Sequence, residues 1–305
     1  MPEIENKLPE FLIEELNKQY GEEVCKKILS GYIENRVVSL RINTLKSTLD
    51  KVCEELMKNN IEYEKVPWSD IALVITNSTE QDLQKLSIYE NGEIYLQSLS
   101  SMLPPVILNP KENTDILDMT AAPGGKTTQI AALTNNNANI TACEMNNIRI
   151  EKLKYNIQKQ GATSVVVLGE DSRNLNDYFK FDQILLDAPC SGSGTIELNN
   201  ERTLKNFTEK LVEKSTKSQI ALLKKALNIL KPEHEMIYST CSILDKENED
   251  IVNKALNGIN AEIVPIEFNG IENIPMLPTK IKGTLCVCPN KYYEGFFVAK
   301  IRKNK

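Results

Sequence analysis

The chain has 305 residues, 41% apolar and 26% charged, which are ordinary proportions for one large globular domain or a small and a medium one. Its longest apolar runs, such as Ile71-Ala72-Leu73-Val74-Ile75, fall far short of the ~20 residues of a bilayer-spanning helix, and the acidic start Met1-Pro2-Glu3-Ile4-Glu5 is unlike a secretory signal. Residues 1–95 carry a net charge of −7 and residues 96–305 a net of +1, so a strongly basic nucleic-acid binder is excluded and any polyanion must be met by a local patch.

Residues 9–16 and 22–29 read as amphipathic helices, and 37–43 alternate like a strand. Leu49, Val52, Cys53 and Leu56 recur at helical spacing, and 71–75 read as a short buried strand. Residues 1–95 therefore form a small α/β unit with no visible chemistry. In residues 96–305 short apolar runs alternate with helical segments, the signature of a parallel sheet covered on both faces. Strands are expected at 115–119, 139–144, 164–168, 183–187, 236–239 and 296–300, and helices at 127–133, 148–160 and 215–230. The Lys-rich stretch 202–225 reads as a solvated helix face.

The single histidine, His234, excludes zinc sites built on paired histidines. It follows Lys231-Pro232-Glu233, which reads as a turn, and an exposed turn histidine is the plain interpretation. Seven scattered cysteines, an odd number, fit a reducing cytoplasm and give no metal-binding spacing.

The chemistry is written at the strand ends. The first strand of the second unit runs into Thr120-Ala121-Ala122-Pro123-Gly124-Gly125-Lys126-Thr127. Glycines at a strand-to-helix turn let a ligand approach the backbone, and the helix N-terminus offers free N–H donors. A phosphate-binding P-loop requires Gly where Thr120 stands, and the Gly-x-Gly-x-x-Gly fingerprint is absent. The next strand ends in Glu144, placed to accept hydrogen bonds from a ribose diol. The third leads to Asp171, placed for an exocyclic adenine amine. The fourth ends in Asp187-Ala188-Pro189-Cys190 and the fifth in Ser239-Thr240-Cys241-Ser242. Cys25, Cys53, Cys143, Cys286 and Cys288 read as structural. Cys190 and Cys241 each close a strand on the ligand-binding edge, where a thiolate can act as nucleophile.

These three motifs, in this order, resemble the NOL/NOP/Sun family of RNA cytosine-5 methyltransferases, with its bacterial ribosomal-RNA members nearest in style. Arg41-Ile42-Asn43, the segment 95–101 and Gly295-Phe296-Phe297-Val298-Ala299 extend the resemblance from about residue 41 to the C-terminus. It implies an α/β protein: a class I S-adenosylmethionine methyltransferase fold with a mostly parallel Rossmann-like sheet, preceded by a small RNA-recognition-like domain. It also implies a cofactor site of Thr120, Ala121, Ala122, Pro123, Gly124, Gly125, Lys126, Glu144, Asp171 and Asp187. Cys241 would be the nucleophile and Cys190 would assist product release, with Asp187 and Lys126 facing the base. The implied partner is RNA, ribosomal before transfer RNA. No membrane or metal is implied, and a cytoplasmic monomer is expected.

The sequence departs from the family at Thr120, commonly cysteine there, at Glu233-His234, where Gly-Gly is frequent, and at Cys286-Val287-Cys288, where a basic residue is frequent. Neither a NusB-like nor a PUA-like domain is recognisable, so part of the usual RNA grip is expected to be missing. Two other classes compete. A P-loop-like nucleotide hydrolase fails at Thr120 and leaves both cysteines unexplained. A non-catalytic RNA-binding or ribosome-assembly factor leaves unexplained why both Cys190 and Cys241 are present.

Overall fold

The computed structural model describes residues 7–205 and 207–305; the acidic segment 1–5 lies outside them. The chain opens on helix α1 (Glu10–Ile33), broken at Gly21 (φ 77°, ψ 165°), so the two helices expected there are its two halves. Strand β1 (Val38–Ile42), helix α2 (Leu49–Lys58), strands β2 (Tyr63–Val66) and β3 (Ser69–Ile75), two short helical turns, and β4 (Ile94–Leu96) follow. Thr48 caps α2 by accepting a hydrogen bond from the Lys51 N–H.

These strands form an antiparallel sheet in the order β2-β3-β1-β4. Alternation divides its faces. Leu40, Ile42, Leu73 and Ile75 pack with Val52 and Leu56 of α2. Ala72 and Val74 point the other way, into a core that includes Leu99, Met102 and Leu103 of helix α3 (Leu99–Leu108). An RNA-recognition sheet stacks bases on an open face. Here that second face is covered by the rest of the chain.

The second unit is built on β5 (Asp115–Asp118), α4 (Gly125–Leu133), β6 (Asn139–Cys143), α5 (Asn147–Gln160), β7 (Val165–Leu168) and β8 (Phe181–Asp187). After these come α6 (Glu209–Ile229), β9 (Leu230–Thr240), α7 (Glu249–Leu256), β10 (Ala261–Val264), β11 (Leu285–Val287) and β12 (Phe296–Lys303). The main sheet runs β10-β12-β9-β8-β5-β6-β7, with β11 on β12. Strands β7, β6, β5, β8 and β9 are parallel. β12 is antiparallel to both its neighbours, β9 and β10.

Successive residues feed opposite layers: Ile184, Leu186, Met236 and Tyr238 on one side, Leu185 and Ile237 on the other. β5 pairs with β6 on one side and β8 on the other, so the crevice of this sheet opens at the carboxyl ends of β5, β6 and β8.

Helix α1 does not pack on the small sheet. Leu12, Leu16, Ile28 and Tyr32 are fully buried in the same cluster as Ile184, Leu223 and Tyr238. The Tyr32 hydroxyl donates to the Ser193 carbonyl at 2.7 Å, and the Tyr20 hydroxyl to the Ile243 carbonyl at 2.6 Å. His234 lies at the amino end of β9, beside Glu233, whose φ is 67°. It is half-exposed, with Nε2 3.1 Å from Asp182, well away from the carboxyl edge.

Because Leu16 is fully buried in the main core, Leu16→Ala is expected to cost about 2–5 kcal/mol. Denaturant titration should show one transition at a lower midpoint. An additional early transition with the main midpoint unchanged would show that α1 is not part of that core.

Candidate functional site at the carboxyl edge of the main sheet

The loop between β5 and α4 is laced to the neighbouring strand ends. The Ala121 N–H donates to the Cys143 carbonyl at 2.9 Å, and the Thr120 hydroxyl to the Asp187 carbonyl at 2.8 Å. Gly124 has φ 109°, which only glycine adopts freely, and it starts α4. Under the loop, the fully buried Asp118 accepts the Thr127 hydroxyl at 2.7 Å. Burial pushes its carboxyl up to about 6.

Lys126 projects from the first turn of α4 and meets Asp187 at 2.6 Å. It also donates to the Ser101 hydroxyl at 2.8 Å and lies 5.5 Å from the Phe296 ring centroid. Burial alone would depress this ammonium, but the charge and hydrogen bond of Asp187 outweigh it and raise it. The other Asp187 oxygen accepts the Ser239 hydroxyl at 2.8 Å.

Glu144 is buried at the end of β6. It accepts the Asn146 N–H at 2.9 Å and pairs with Arg149 at 3.3 Å. Arg149 also donates to the Ala122 carbonyl at 2.7 Å, tying the acid to the glycine loop. Asp171 is held by Arg173 at 2.5 Å, whose hydrogen bond lowers its carboxyl. Sequence reasoning missed both arginines. The Asn146 cap that places Arg149 in the first turn of α5 was the one available signal.

Cys190 and Cys241 lie together, Sγ to Sγ 3.1 Å, both half-buried. The hydrogen bond with Cys241, burial, and the charges of Cys241 and Glu247 push the Cys190 thiol well up. The Cys241 carbonyl accepts the Gly194 N–H at 3.0 Å, and Gly295 donates to the Gly194 carbonyl at 2.8 Å. A Cβ on Gly194 would lie 1.9 Å from the Gly295 oxygen, so only glycine lets these loops close. Cys25, Cys53, Cys143, Cys286 and Cys288 are buried, as expected of structural thiols.

Two cavities meet here. One of about 400 Å³ is lined by Glu144, Met145, Asp171, Pro189, Cys190 and Leu222. The other, of about 660 Å³, is walled by Ser39 and Tyr95 of the small sheet, by Ser101, and by Lys126 and Phe296. Thr120, Ala122, Asp187 and Cys241 line both. Every site residue expected from the sequence thus lies on this edge. Among the described residues no group of three or more His, Cys, Asp or Glu side chains could hold a metal ion, and no helix is long and apolar enough to cross a membrane.

Residues 105–302 match the family described as 16S rRNA methyltransferase RsmB/F. The chain belongs to that family. Residues 8–82 match the ferredoxin-like domain of RsmF/B-like methyltransferases, so the N-terminal unit is ferredoxin-like. The main unit has the class I methyltransferase fold. Similar relatives include the ribosomal RNA small subunit methyltransferase F of Vibrio atlanticus, 35% identical over 274 residues, covering 87% of this chain and 57% of the relative. The enzyme of the same name from Aliivibrio fischeri is 36% identical over 275 residues, covering 87% and 58%. The chain thus spans less than two thirds of these relatives. A methyltransferase homolog protein from Pyrococcus horikoshii superposes with a TM-score of 0.84 at 30% identity, covering 99% of both chains.

The buried Asp118 yields a prediction with a definite sign. Its folded value lies above the ordinary carboxylate value, so the stability it contributes is present in acid and is lost as pH rises through about 6. Asp118→Asn keeps an acceptor for Thr127 and removes the charge. Relative to the native chain, it should gain about 1 kcal/mol more stability near pH 7.5 than near pH 5. Denaturant titrations at the two pH values check this, and a gain that shrinks as pH rises would contradict it.

Proposed function

We propose that this protein methylates C5 of a cytosine in small-subunit ribosomal RNA, with S-adenosylmethionine as methyl donor and Cys241 as nucleophile. The observation that carries this reading is the junction of the two cavities at Asp187 and Cys241, with Cys190 3.1 Å from Cys241 and Lys126 2.6 Å from Asp187.

The smaller cavity fits the donor. Its volume lies in the range of small-molecule sites. Glu144 and Asp171 offer carboxylates at its rim for a ribose diol and an adenine amine, Met145 and Leu222 supply apolar wall, and Thr120 and Ala122 bring the glycine loop to it, whereas Ala121, Pro123, Gly125 and Lys126 line the larger cavity. When bound, the donor supplies an electrophilic methyl group on sulfur.

The larger cavity would take the base, which must be single-stranded or flipped out of its stack to enter. Cytosine C5 is too weak a nucleophile by itself. The Cys241 thiolate adds to C6, breaking the C5=C6 double bond and making C5 enamine-like. The Lys126–Asp187 pair faces the ring and supports its protonation at N3 during that addition. After methylation, loss of the C5 proton returns its electron pair to the C5=C6 bond and expels the Cys241 sulfur. Cys190, in contact with that sulfur, assists the release.

Residues 96–305 would carry the chemistry, and 1–95 an RNA-recognition role. Because the second face of the small sheet is covered, this role would be played by Ser39, Tyr95 and the linking segment as walls of the base cavity. Ribosomal RNA as substrate places the action in the cytoplasm, and both cavities are built by one chain.

The test is methyl transfer from labelled S-adenosylmethionine to unmodified small-subunit ribosomal RNA, with bisulfite mapping of the product. The native protein should yield 5-methylcytosine. Cys241→Ala should lose at least about 10³-fold in rate, the scale seen when an enzyme's nucleophile is removed. Label appearing on another atom, or Cys241→Ala at native rate, would overturn the reading.

A further inference from the structure

Glu247 is fully buried and forms no ion pair among the described residues. Its Oε1 accepts the Ser191 N–H at 2.7 Å and its Oε2 the Ser191 hydroxyl at 2.5 Å. Ser191 directly follows Cys190. On the other side of Cys190, the Pro189 carbonyl accepts a hydrogen bond from Gln219 at 3.0 Å. Asn248, the next residue, serves the second cysteine in the same way. Its Oδ1 accepts the Thr240 hydroxyl at 2.5 Å, and its Nδ2 donates to the Ser242 carbonyl at 2.9 Å. Two adjacent side chains therefore fasten the residues flanking both thiols.

Fastening alone does not require a charge. A glutamine at 247 could still accept the Ser191 N–H, and a buried carboxylate without a counter-ion is costly. What glutamine cannot supply is a negative potential behind Cys190. Lys126 stands opposite, lining the larger cavity with Cys241 but without Cys190. The thiol pair thus has a buried carboxylate on the Cys190 side and the Lys126–Asp187 ion pair on the Cys241 side. Asp187, paired with Lys126, and the buried Tyr238 are the other ionisable groups near the pair.

We propose that Glu247 is a positioning residue for the thiol chemistry: it holds the Cys190 loop with a charge at its back, so that Cys190 stays a thiol and its S–H donates a hydrogen bond to Cys241, the sulfur that becomes anionic. The hydrogen bond with Cys241, burial, and the charges of Cys241 and Glu247, which together raise the Cys190 thiol, agree with this order. The inference rests on the proposed role of Cys241, but its test needs neither RNA nor methyl donor, so the two can fail separately.

The experiment is alkylation of the full chain with limiting iodoacetamide across a range of pH, with each cysteine quantified by peptide mapping. In the native protein near pH 7.5, Cys241 should react at least about tenfold faster than Cys190, the thiolate-fraction difference of one pKa unit. In Glu247→Gln that ratio should fall and the Cys190 profile should move to lower pH, because one of the effects that raise the Cys190 thiol is removed while the Cys241 hydrogen bond and burial remain. Glu247→Asp, which keeps the charge, should restore most of the ratio. An unchanged ratio and profile in a folded Glu247→Gln protein, or faster native reaction at Cys190, would overturn the proposal. If Glu247→Gln does not fold, Ser191→Ala at its half-exposed position replaces it. That variant keeps the Glu247 charge and its bond to the Ser191 N–H, so the ratio should persist, and a collapsed ratio would count against the proposal.

Discussion

The Lys126 ammonium and the Asp187 carboxylate meet at 2.6 Å where β8 ends against the first turn of α4, and much of the site is arranged around that pair. Charges this far out of water are tolerated only when paired and hydrogen-bonded, and removing one partner leaves the other stranded. The surroundings supply what each member lacks. Ser239 donates to Asp187, Ser101 accepts from Lys126, and the Phe296 ring lies beside the ammonium. These residues come from β9, from α3 after the small sheet, and from β12. The small sheet adds Ser39 and Tyr95 as wall of the larger cavity, so the site is complete only when both units of the chain are in place.

That dependence explains the way the ferredoxin-like unit is attached. Arg41, on β1, is fully buried with no carboxylate partner among the described residues. It donates to Gln97, to Thr128 and to the Gly125 carbonyl, and burial lowers its guanidinium to about 10. A buried cation is an expensive way to join two units, and this one reaches the first turn of the helix that carries Lys126. Arg36 does similar work below the other loop, pairing with Glu197 at 2.9 Å and donating to the carbonyls of residues 194–196. The small unit thus supplies cavity wall and loop support, and the acidic balance of residues 1–95 is compatible with that role because few phosphates need be met there.

Much of this was legible in the sequence, for physical reasons that differ by element. The parallel strands show as apolar runs because both faces are buried. The glycine loop shows because Gly124 must take a positive φ. Cys190 and Cys241 stood out by closing adjacent strands. Other features are hidden. Pro104 and Pro105 disguise α3, a helix stabilised by its burial. Tyr63–Val66 is too short and polar to announce itself as an edge strand. Strand β9 begins at Leu230, six residues before the apolar run that betrays it, because the chain bulges at Glu233. Arg149, Arg173, Glu247 and Asn248 look like ordinary surface residues. Their partners lie in loops or cavity walls that only the folded chain brings beside them, or, for Arg173, in the rim position of Asp171.

The central claim is that two adjacent thiols divide the work, Cys241 attacking and Cys190 releasing. It is tested most directly by incubating the Cys190→Ala and Cys241→Ala proteins with substrate RNA and methyl donor, then resolving the mixtures on denaturing gels. The account predicts a covalent protein–RNA complex that persists in Cys190→Ala, maps to the peptide carrying Cys241, and is absent in Cys241→Ala. A complex trapped in Cys241→Ala and none in Cys190→Ala would contradict it and exchange the two roles.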